Sequence, residues 1–63
     1  MQIDGKTKIY GIMGKPVSHS LSPAMHNSAF QELSLNNIYV AFEVEDIDRA
    51  LDGFRALGVC GVS

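Results

Sequence analysis

The segment that spans residues 14–27 constrains the fold more than any other stretch, because it connects the end of a predicted strand to the start of a predicted helix. Ahead of it, Lys8–Gly14 is apolar almost throughout, which is typical of a strand covered on both faces. Ser22 followed by Pro23 is typical of a helix start, with serine as the N-cap and proline at the first helical position. The segment therefore predicts a strand that ends near Pro16, a short loop and a helix.

The same alternation continues to the end of the chain. The first helix is predicted to reach about Leu35, and Ile38–Val44 is predicted as a second strand rich in β-branched and aromatic residues. Asp46 is a candidate cap for a second helix whose apolar residues recur at helical spacing up to Gly58. Val59–Ser63 begins a third strand. The predicted fold class is α/β: a β-α-β-α-β start of an open, mainly parallel sheet with helices on both faces.

Several single residues carry structural predictions. Cys60 is the only cysteine, and its apolar surroundings indicate a buried, reduced thiol. Gly53, inside the second helix, indicates close packing. The inner side of the first helix is predicted from helical spacing to consist of Met25, Ala29, Phe30 and Leu33. The acidic residues of the second helix are predicted to form a cap and a solvated face: Asp46, Asp48 and Asp52.

Composition limits the classes of function. Sixty-three residues allow at most one small domain, and a net charge of −2 with no basic stripe argues against nucleic acid as a partner. No apolar run approaches the roughly 20 residues that a membrane helix needs, and no signal peptide is recognisable. No Cys/His cluster has metal-ligand spacing. We expect a cytoplasmic protein that contacts neither membrane nor nucleic acid.

The chain stops within its third predicted strand, and three strands with two helices leave much of a sheet uncovered. We therefore expect a piece of a longer protein. The isolated piece is expected to self-associate through exposed apolar faces and strand edges. A further interpretation is that the isolated piece neither folds stably nor binds a ligand.

The loop after the first strand suits the capture of a small carboxylate. It lies at the carboxyl end of a strand, where ligands gather in open α/β sheets. The helix that follows offers unpaired N–H groups and a partial positive charge. Ser20 and Ser22 add two hydroxyl donors, one for each carboxylate oxygen, and Pro16 and Pro23 stiffen the loop. The simpler alternative is that the Ser-Pro pair is only a helix cap.

Two histidines and a glycine pair are the other candidates. His19 is predicted to support the loop backbone, with donation to a ligand as the alternative. His26 is predicted to pack or form a hydrogen bond rather than to act as a catalyst. Gly11 and Gly14 follow a strand, but they do not form the G-x-G-x-x-G pattern, so no dinucleotide site is predicted here.

The pattern G-x-P-x-x-H-S-x-S-P-x-x-H-N at residues 14–27 resembles the N-terminal signature of the shikimate dehydrogenase family. The similarity continues through residues 39–44 and ends at residues 61–63, which resemble the start of a strand motif V-T-x-P-x-K. It runs from about Lys8 to Ser63. The resemblance implies that residues 1–63 are the N-terminal part of the shikimate-binding domain, with the NADP-binding Rossmann domain absent from the chain.

The resemblance also implies a function and a set of site residues. The parent enzyme would reduce 3-dehydroshikimate to shikimate with NADPH, a step of aromatic amino-acid biosynthesis. Ser20 and Ser22 match the serines that hold the substrate carboxylate. Ser63 is a third candidate, since it stands where the family often has an asparagine near the substrate hydroxyls. The matching positions that support the loop are Gly14, Pro16, His19 and Pro23.

The resemblance places the catalytic lysine and aspartate beyond Ser63 and NADP(H) in another domain. No catalytic, cofactor-binding or metal-binding residue is therefore predicted in this chain, and the chain alone is predicted to be inactive. Two alternatives stay open: a quinate/shikimate dehydrogenase that accepts NAD, and a non-catalytic module that binds a small hydroxy acid.

Overall fold

Three parallel strands and two helices alternate along the chain. A computed structural model describes residues 2–63; Met1, the first residue of the predicted domain, lies outside them. The elements are β1 Lys8–Gly14, α1 Ser22–Glu32, β2 Asn37–Glu43, α2 Ile47–Leu57 and β3 Gly61–Val62. The predicted alternation of strands and helices is confirmed.

β1 lies in the middle of the sheet, whose strand order is β2-β1-β3. It pairs with β2 from Lys8↔Asn37 to Gly14↔Glu43 and with β3 at Tyr10↔Gly61, both in parallel. The chain therefore crosses back over β1 between β2 and β3. As a result, the loop that follows β1 lies at the switch point of the sheet, where ligands bind in open α/β folds.

The two helices pack on opposite faces of the sheet. The Phe30 ring of α1 lies 5.8 Å from the Tyr10 ring, and the Phe54 ring of α2 lies 4.8 Å from the Phe42 ring. Tyr10 pairs with Tyr39, which is three residues from Phe42 along β2. Because neighbouring side chains of a strand point to opposite faces, the two contacts are on different sides. The predicted layering is confirmed.

Both ends of α2 are formed by the residues that the sequence indicated. The Asp46 carboxylate accepts a hydrogen bond from the Arg49 N–H at 3.1 Å. Gly58 adopts a left-handed conformation with φ of 77°, and the Val59 N–H donates to the Phe54 carbonyl at 2.9 Å. These bonds satisfy backbone groups that the helix itself leaves unpaired.

The start of α1 differs from the prediction. Leu21 holds the N-cap position in a helical conformation without a side-chain cap, so Ser22 is the first helical residue and Pro23 the second. The prediction that Ser22 is the N-cap is therefore wrong. The reason is that the Ser22 N–H already donates to Ser20 Oγ at 3.2 Å, while the Met25 N–H reaches the Leu21 carbonyl at 3.0 Å.

The end of α1 also comes earlier than predicted, at Glu32 instead of Leu35. Ser34 turns into the left-handed region with φ of 55°, and the Leu35 N–H donates back to the Phe30 carbonyl at 2.9 Å. A helix cannot continue through that conformation. β2 accordingly begins and ends one residue earlier than predicted, and β3 is confined to two residues.

The apolar core is thin. Val17 and Tyr39 are the buried apolar side chains, with 9% and 8% of their surface exposed. On the predicted inner side of α1, Met25 and Leu33 are 66% and 67% exposed, and Ala29 is exposed as well, so this prediction holds only for Phe30. The helix presents a different, more polar side to the sheet, where Asn27 bonds to Tyr39.

Two further residue predictions are wrong for the same reason, thin packing. Cys60 is exposed, because it precedes the short edge strand β3. A Cβ added at Gly53 would meet nothing within 4 Å, so this glycine does not serve close packing.

Leu21 and Leu57 are 72% and 80% exposed, and self-association of the isolated chain stays a prediction. Neither helix in residues 2–63 is long and apolar enough to cross a membrane.

Candidate functional site

The loop between β1 and α1 is held by its own backbone and by one buried side chain. The Ser20 N–H donates to the Val17 carbonyl at 3.0 Å, and the Val17 side chain lies against Gly14, where an added Cβ would come within 3.0 Å of it. The Lys15–Pro16 peptide bond in this loop is cis. These contacts place the two predicted serines at the carboxyl end of the central strand.

Ser20 and Ser22 are both half-buried, and a hydrogen bond links them. Ser20 Oγ accepts from the Ser22 N–H, which leaves the Ser20 hydroxyl hydrogen available to another acceptor. The first turn of α1 contains no acidic residue and no side-chain cap. The partial positive charge at this helix start is therefore not neutralised by the helix's own side chains.

His26 and Tyr39 connect Ser22 to Ser63. His26 Nδ1 donates to the Ser22 carbonyl at 3.0 Å, and its ring stacks on the Tyr39 ring at 4.1 Å with an interplanar angle of 19°. The Tyr39 hydroxyl lies 3.3 Å from Ser63 Oγ, within hydrogen-bond distance. The structure thus links two of the predicted serines, which are distant in sequence, through a pair of stacked rings.

Asn27 joins α1 to β2 by two hydrogen bonds to one residue. Its Oδ1 accepts from the Tyr39 N–H at 2.8 Å, and its Nδ2 donates to the Tyr39 carbonyl at 2.9 Å. Both bonds are half-buried. They explain why α1 turns Asn27 toward the sheet while Met25 stays exposed.

The positive charge of the loop already has a partner. The Lys15 ammonium donates to the Glu45 carboxylate, which belongs to the segment between β2 and α2. The Val44 N–H donates to the Gly14 carbonyl at 3.0 Å beside this pair. Recognition of an anion here would therefore depend on hydroxyls and on the start of α1 rather than on Lys15.

The predicted site residues differ in what the structure does with them. Ser20, Ser22 and Ser63 are brought into one connected set of contacts. The His19 side chain is exposed and makes no hydrogen bond in the described part of the chain, so the loop is held without it. His26 packs and forms a hydrogen bond, as predicted.

Sequence reasoning missed the roles of Asn27 and Tyr39. An asparagine in the middle of a helix is unfavourable by itself, since its side chain competes for backbone hydrogen bonds. An unfavourable residue at this position, directly after His26, was a signal that the side chain has a specific role. No local pattern indicated that Tyr39 is its partner. The two residues are 12 positions apart and meet only when β2 packs beside α1.

A cavity lies at the other end of the sheet. It has a volume of about 360 Å³ and is lined by Gln2, Asp4, Gln31, Ser34, Leu35 and Asn36. The Asn36 side chain and the Lys6 N–H donate to the Asp4 carboxylate, and these bonds lower the pKa of that carboxyl. None of the predicted site residues belongs to this cavity.

Gly11 is placed for packing within the sheet. A Cβ at Gly11 would lie 2.5 Å from the Phe42 ring and 2.6 Å from the Val40 carbonyl, so this glycine makes room for packing and not for a phosphate. Residues 2–63 also contain no group of three His, Cys, Asp or Glu side chains arranged to hold a metal.

The fold and the position of the loop place the chain among open parallel α/β domains, which bind ligands at the carboxyl ends of their strands. Comparison with known families then gives its place within that class. Residues 12–63 match the shikimate dehydrogenase substrate binding domain. The chain belongs to this family.

Proteins similar to the chain are named shikimate dehydrogenases. The NADP(+) shikimate dehydrogenase of Pyrococcus abyssi is 55% identical over 56 residues, which are 89% of this chain and 21% of that protein. The crystal structure of the Aquifex aeolicus shikimate dehydrogenase matches with a TM-score of 0.92 and 41% identity, over 97% of this chain and 24% of that one. Shikimate 5-dehydrogenase from Listeria monocytogenes, solved in complex with shikimate and NAD, matches with a TM-score of 0.89 and 43% identity, over 100% and 23%. The chain spans about a quarter or less of each relative.

Proposed function

We propose that this chain is the N-terminal part of the substrate-binding domain of an NADP-dependent shikimate dehydrogenase, and that Ser20 and Ser22 bind the carboxylate of shikimate. The start of α1 is the observation that carries the proposal. It has neither a side-chain cap nor an acidic residue, and it lies beside two half-buried hydroxyls. An anion is the ligand that such a set of donors stabilises.

Ser63 is proposed as a third contact, toward a hydroxyl of the substrate. Its Oγ lies 3.3 Å from the Tyr39 hydroxyl, and Ser63 is exposed. A hydroxyl both donates and accepts, so Ser63 could bond Tyr39 and a substrate hydroxyl together. The acid–base groups and the nicotinamide site are proposed to lie in the part of the relatives that this chain does not span, and the isolated chain is expected to show no turnover.

Steady-state kinetics of the complete protein with shikimate and NADP test this proposal. Ser20→Ala and Ser22→Ala should each raise the KM for shikimate about 10-fold or more, because each removes a hydrogen bond to a charged group worth about 1.5–3 kcal/mol. The KM for NADP should not change. Ser18→Ala is the matched control, since Ser18 lies in the same loop and is exposed.

A substrate change makes the test specific for the carboxylate. The methyl ester of shikimate has no anionic charge, so the parent protein should bind it more weakly than the acid. In the serine variants this preference for the acid should shrink, because the group that recognises the charge is gone. Equal preference in the parent and both variants would refute the assignment of the serines, and absence of shikimate turnover by the parent would refute the proposed activity.

A further inference from the structure

We propose that Asn27 is a positioning residue: its carboxamide takes the place of a neighbouring strand at the edge of β2 and thereby holds the first turn of α1, with Ser22, in the geometry that binds substrate. This inference rests on the proposed role of Ser22. Asn27 would act through the two elements that it joins, α1 and β2.

β2 has no strand on its outer side among residues 2–63. Toward β1 it uses its even-numbered residues: the Lys8 N–H donates to the Asn36 carbonyl at 3.0 Å, and the Val44 N–H donates to the Gly14 carbonyl at 3.0 Å. In a parallel ladder, alternate residues of a strand bond to opposite neighbours. The N–H and carbonyl of Tyr39, an odd-numbered residue, therefore point to the outer edge.

Asn27 satisfies both of these outward groups at once. Its amide accepts from the Tyr39 N–H at 2.8 Å and donates to the Tyr39 carbonyl at 2.9 Å, as the backbone of a paired strand would do. Unpaired edge groups are costly when they are shielded from water and favour wrong strand pairing when they are not. The carboxamide is the side chain that carries one donor and one acceptor at this spacing.

The position of Asn27 couples this clamp to the substrate loop. The preceding residue, His26, bonds the Ser22 carbonyl and stacks on the same Tyr39. Two consecutive residues of α1 thus tie the backbone of Ser22 to one point on β2. Because α1 has no side-chain cap at its start, these contacts carry the placement of its first turn. A displacement of about 1 Å at a binding group can lower activity by as much as 100-fold.

Kinetics of the complete protein test the proposal with variants of one helix. Asn27→Leu keeps the size of the side chain and loses both hydrogen bonds, and it should raise the KM for shikimate about 10-fold or more with kcat changed much less. Asn27→Asp keeps the acceptor for the Tyr39 N–H but sets a carboxylate against the Tyr39 carbonyl, so it should raise the KM as well. Gln31→Leu, the same exchange at an exposed position of α1, is the control and should leave the KM unchanged.

The division between KM and kcat separates positioning from mere folding. A purely structural role would reduce the active fraction, which lowers apparent kcat at constant KM. An unchanged KM in Asn27→Leu, or in Asn27→Asp where the leucine variant does not fold, overturns the proposal. Ser22→Ala in the same series distinguishes the two proposals, the substrate contact of Ser22 and the positioning role of Asn27. A raised KM in Ser22→Ala, with normal KM values in both Asn27 variants, refutes only the positioning role. An unchanged KM in Ser22→Ala refutes both.

Amide hydrogen exchange gives a second readout that does not depend on activity. The Tyr39 amide should be protected in the parent protein and exchange rapidly in Asn27→Leu. The amide of Ala41, the next outward-facing residue of β2, is the internal comparison, because Asn27 bonds to Tyr39 and not to Ala41. Equal exchange of the Tyr39 amide in the parent and Asn27→Leu would overturn the edge clamp.

Discussion

The two helices have the same length, 11 residues each, but they are defined in different ways. α2 carries its own boundaries, with Asp46 bonded to a backbone N–H at its start and Gly58 in the left-handed conformation after its end. α1 has no side-chain cap and no charged residue that complements its dipole at either end. A helix start without a side-chain cap leaves N–H groups of its first turn unpaired, which suits the proposed anionic ligand, and other contacts must then hold the helix.

The helices also differ in how they are attached to the sheet. α2 packs through an apolar contact, in which the Phe54 ring lies 4.8 Å from the Phe42 ring. α1 is attached by the polar clamp between Asn27 and Tyr39, together with the ring contacts of Phe30. Hydrogen bonds fix direction and distance more narrowly than apolar contacts do. α1, whose start is proposed to bind the ligand, therefore has the more directional attachment.

The largest effect is expected at the apolar attachment of α2. Gly11 lies beneath Phe42, and a Cβ there would come within 2.5 Å of the ring and 2.6 Å of the Val40 carbonyl. Gly11→Ala should lower the free energy of unfolding by about 3 kcal/mol, because overpacking against backbone cannot relax easily. Urea denaturation of the complete protein measures it.

Gly53→Ala is the control for that experiment, since its Cβ would meet nothing within 4 Å. Within a helix, alanine is favoured over glycine by about 0.5–1 kcal/mol, so this variant should be more stable than the parent. Equal stabilities of the two alanine variants would show that Phe42 can move away and that α2 does not depend on this contact.

An intermediate effect is expected at the helix ends, which share one bonding pattern. The Val59 N–H donates to the Phe54 carbonyl after α2, and the Leu35 N–H donates to the Phe30 carbonyl after α1, both at 2.9 Å. The left-handed residue is Gly58 in the first case and Ser34 in the second.

Exchanging the two residue types should change stability in opposite directions. A side chain in the left-handed region costs roughly 1–2 kcal/mol. Gly58→Ser should therefore lower the free energy of unfolding by about 1 kcal/mol, and Ser34→Gly should raise it by about 0.5 kcal/mol after the added flexibility of the unfolded chain is counted. Denaturation of both variants measures the difference; a loss of stability in Ser34→Gly would mean that the serine side chain contributes something that the backbone geometry does not show.

The smallest effect on stability is expected at the start of α1, in contrast to the start of α2. Asp46→Ala removes a cap bond and should cost about 1 kcal/mol, whereas Ser22→Ala removes no cap and should change stability by less than about 0.5 kcal/mol. The same Ser22→Ala variant is expected to weaken shikimate binding. Thermal unfolding and KM measured on one preparation check both statements, and a large loss of stability in Ser22→Ala would mean that the serine is a structural residue after all.

Much of the fold could be predicted from the sequence, because its signals are local. The apolar run that became β1, the Asp46 cap and the glycine after α2 each act within a few residues. The boundaries of α1 could not be predicted in the same way. Its start depends on the hydrogen bond from Ser22 to Ser20, and its end depends on a serine in a conformation that glycine usually adopts.

The orientation of α1 shows where helical periodicity misleads. The apolar spacing predicted that Met25 and Leu33 face the sheet, yet both are about two-thirds exposed. The outward backbone groups of Tyr39 needed a donor and an acceptor, and Asn27 supplied them. Such a demand arises only when β2 has found its place at the edge of the sheet.

The sequence by itself determined the order of strands and helices, the family and the loop that carries Ser20 and Ser22, because each rests on neighbouring residues or on a continuous motif. The tertiary structure decided that β1 is the central strand, that α1 turns Asn27 inward, and that Ser63 comes within hydrogen-bond distance of Tyr39. The physical reason is that these relations join residues 12 or more positions apart, and the hydrogen bonds that select them form only after the sheet is assembled.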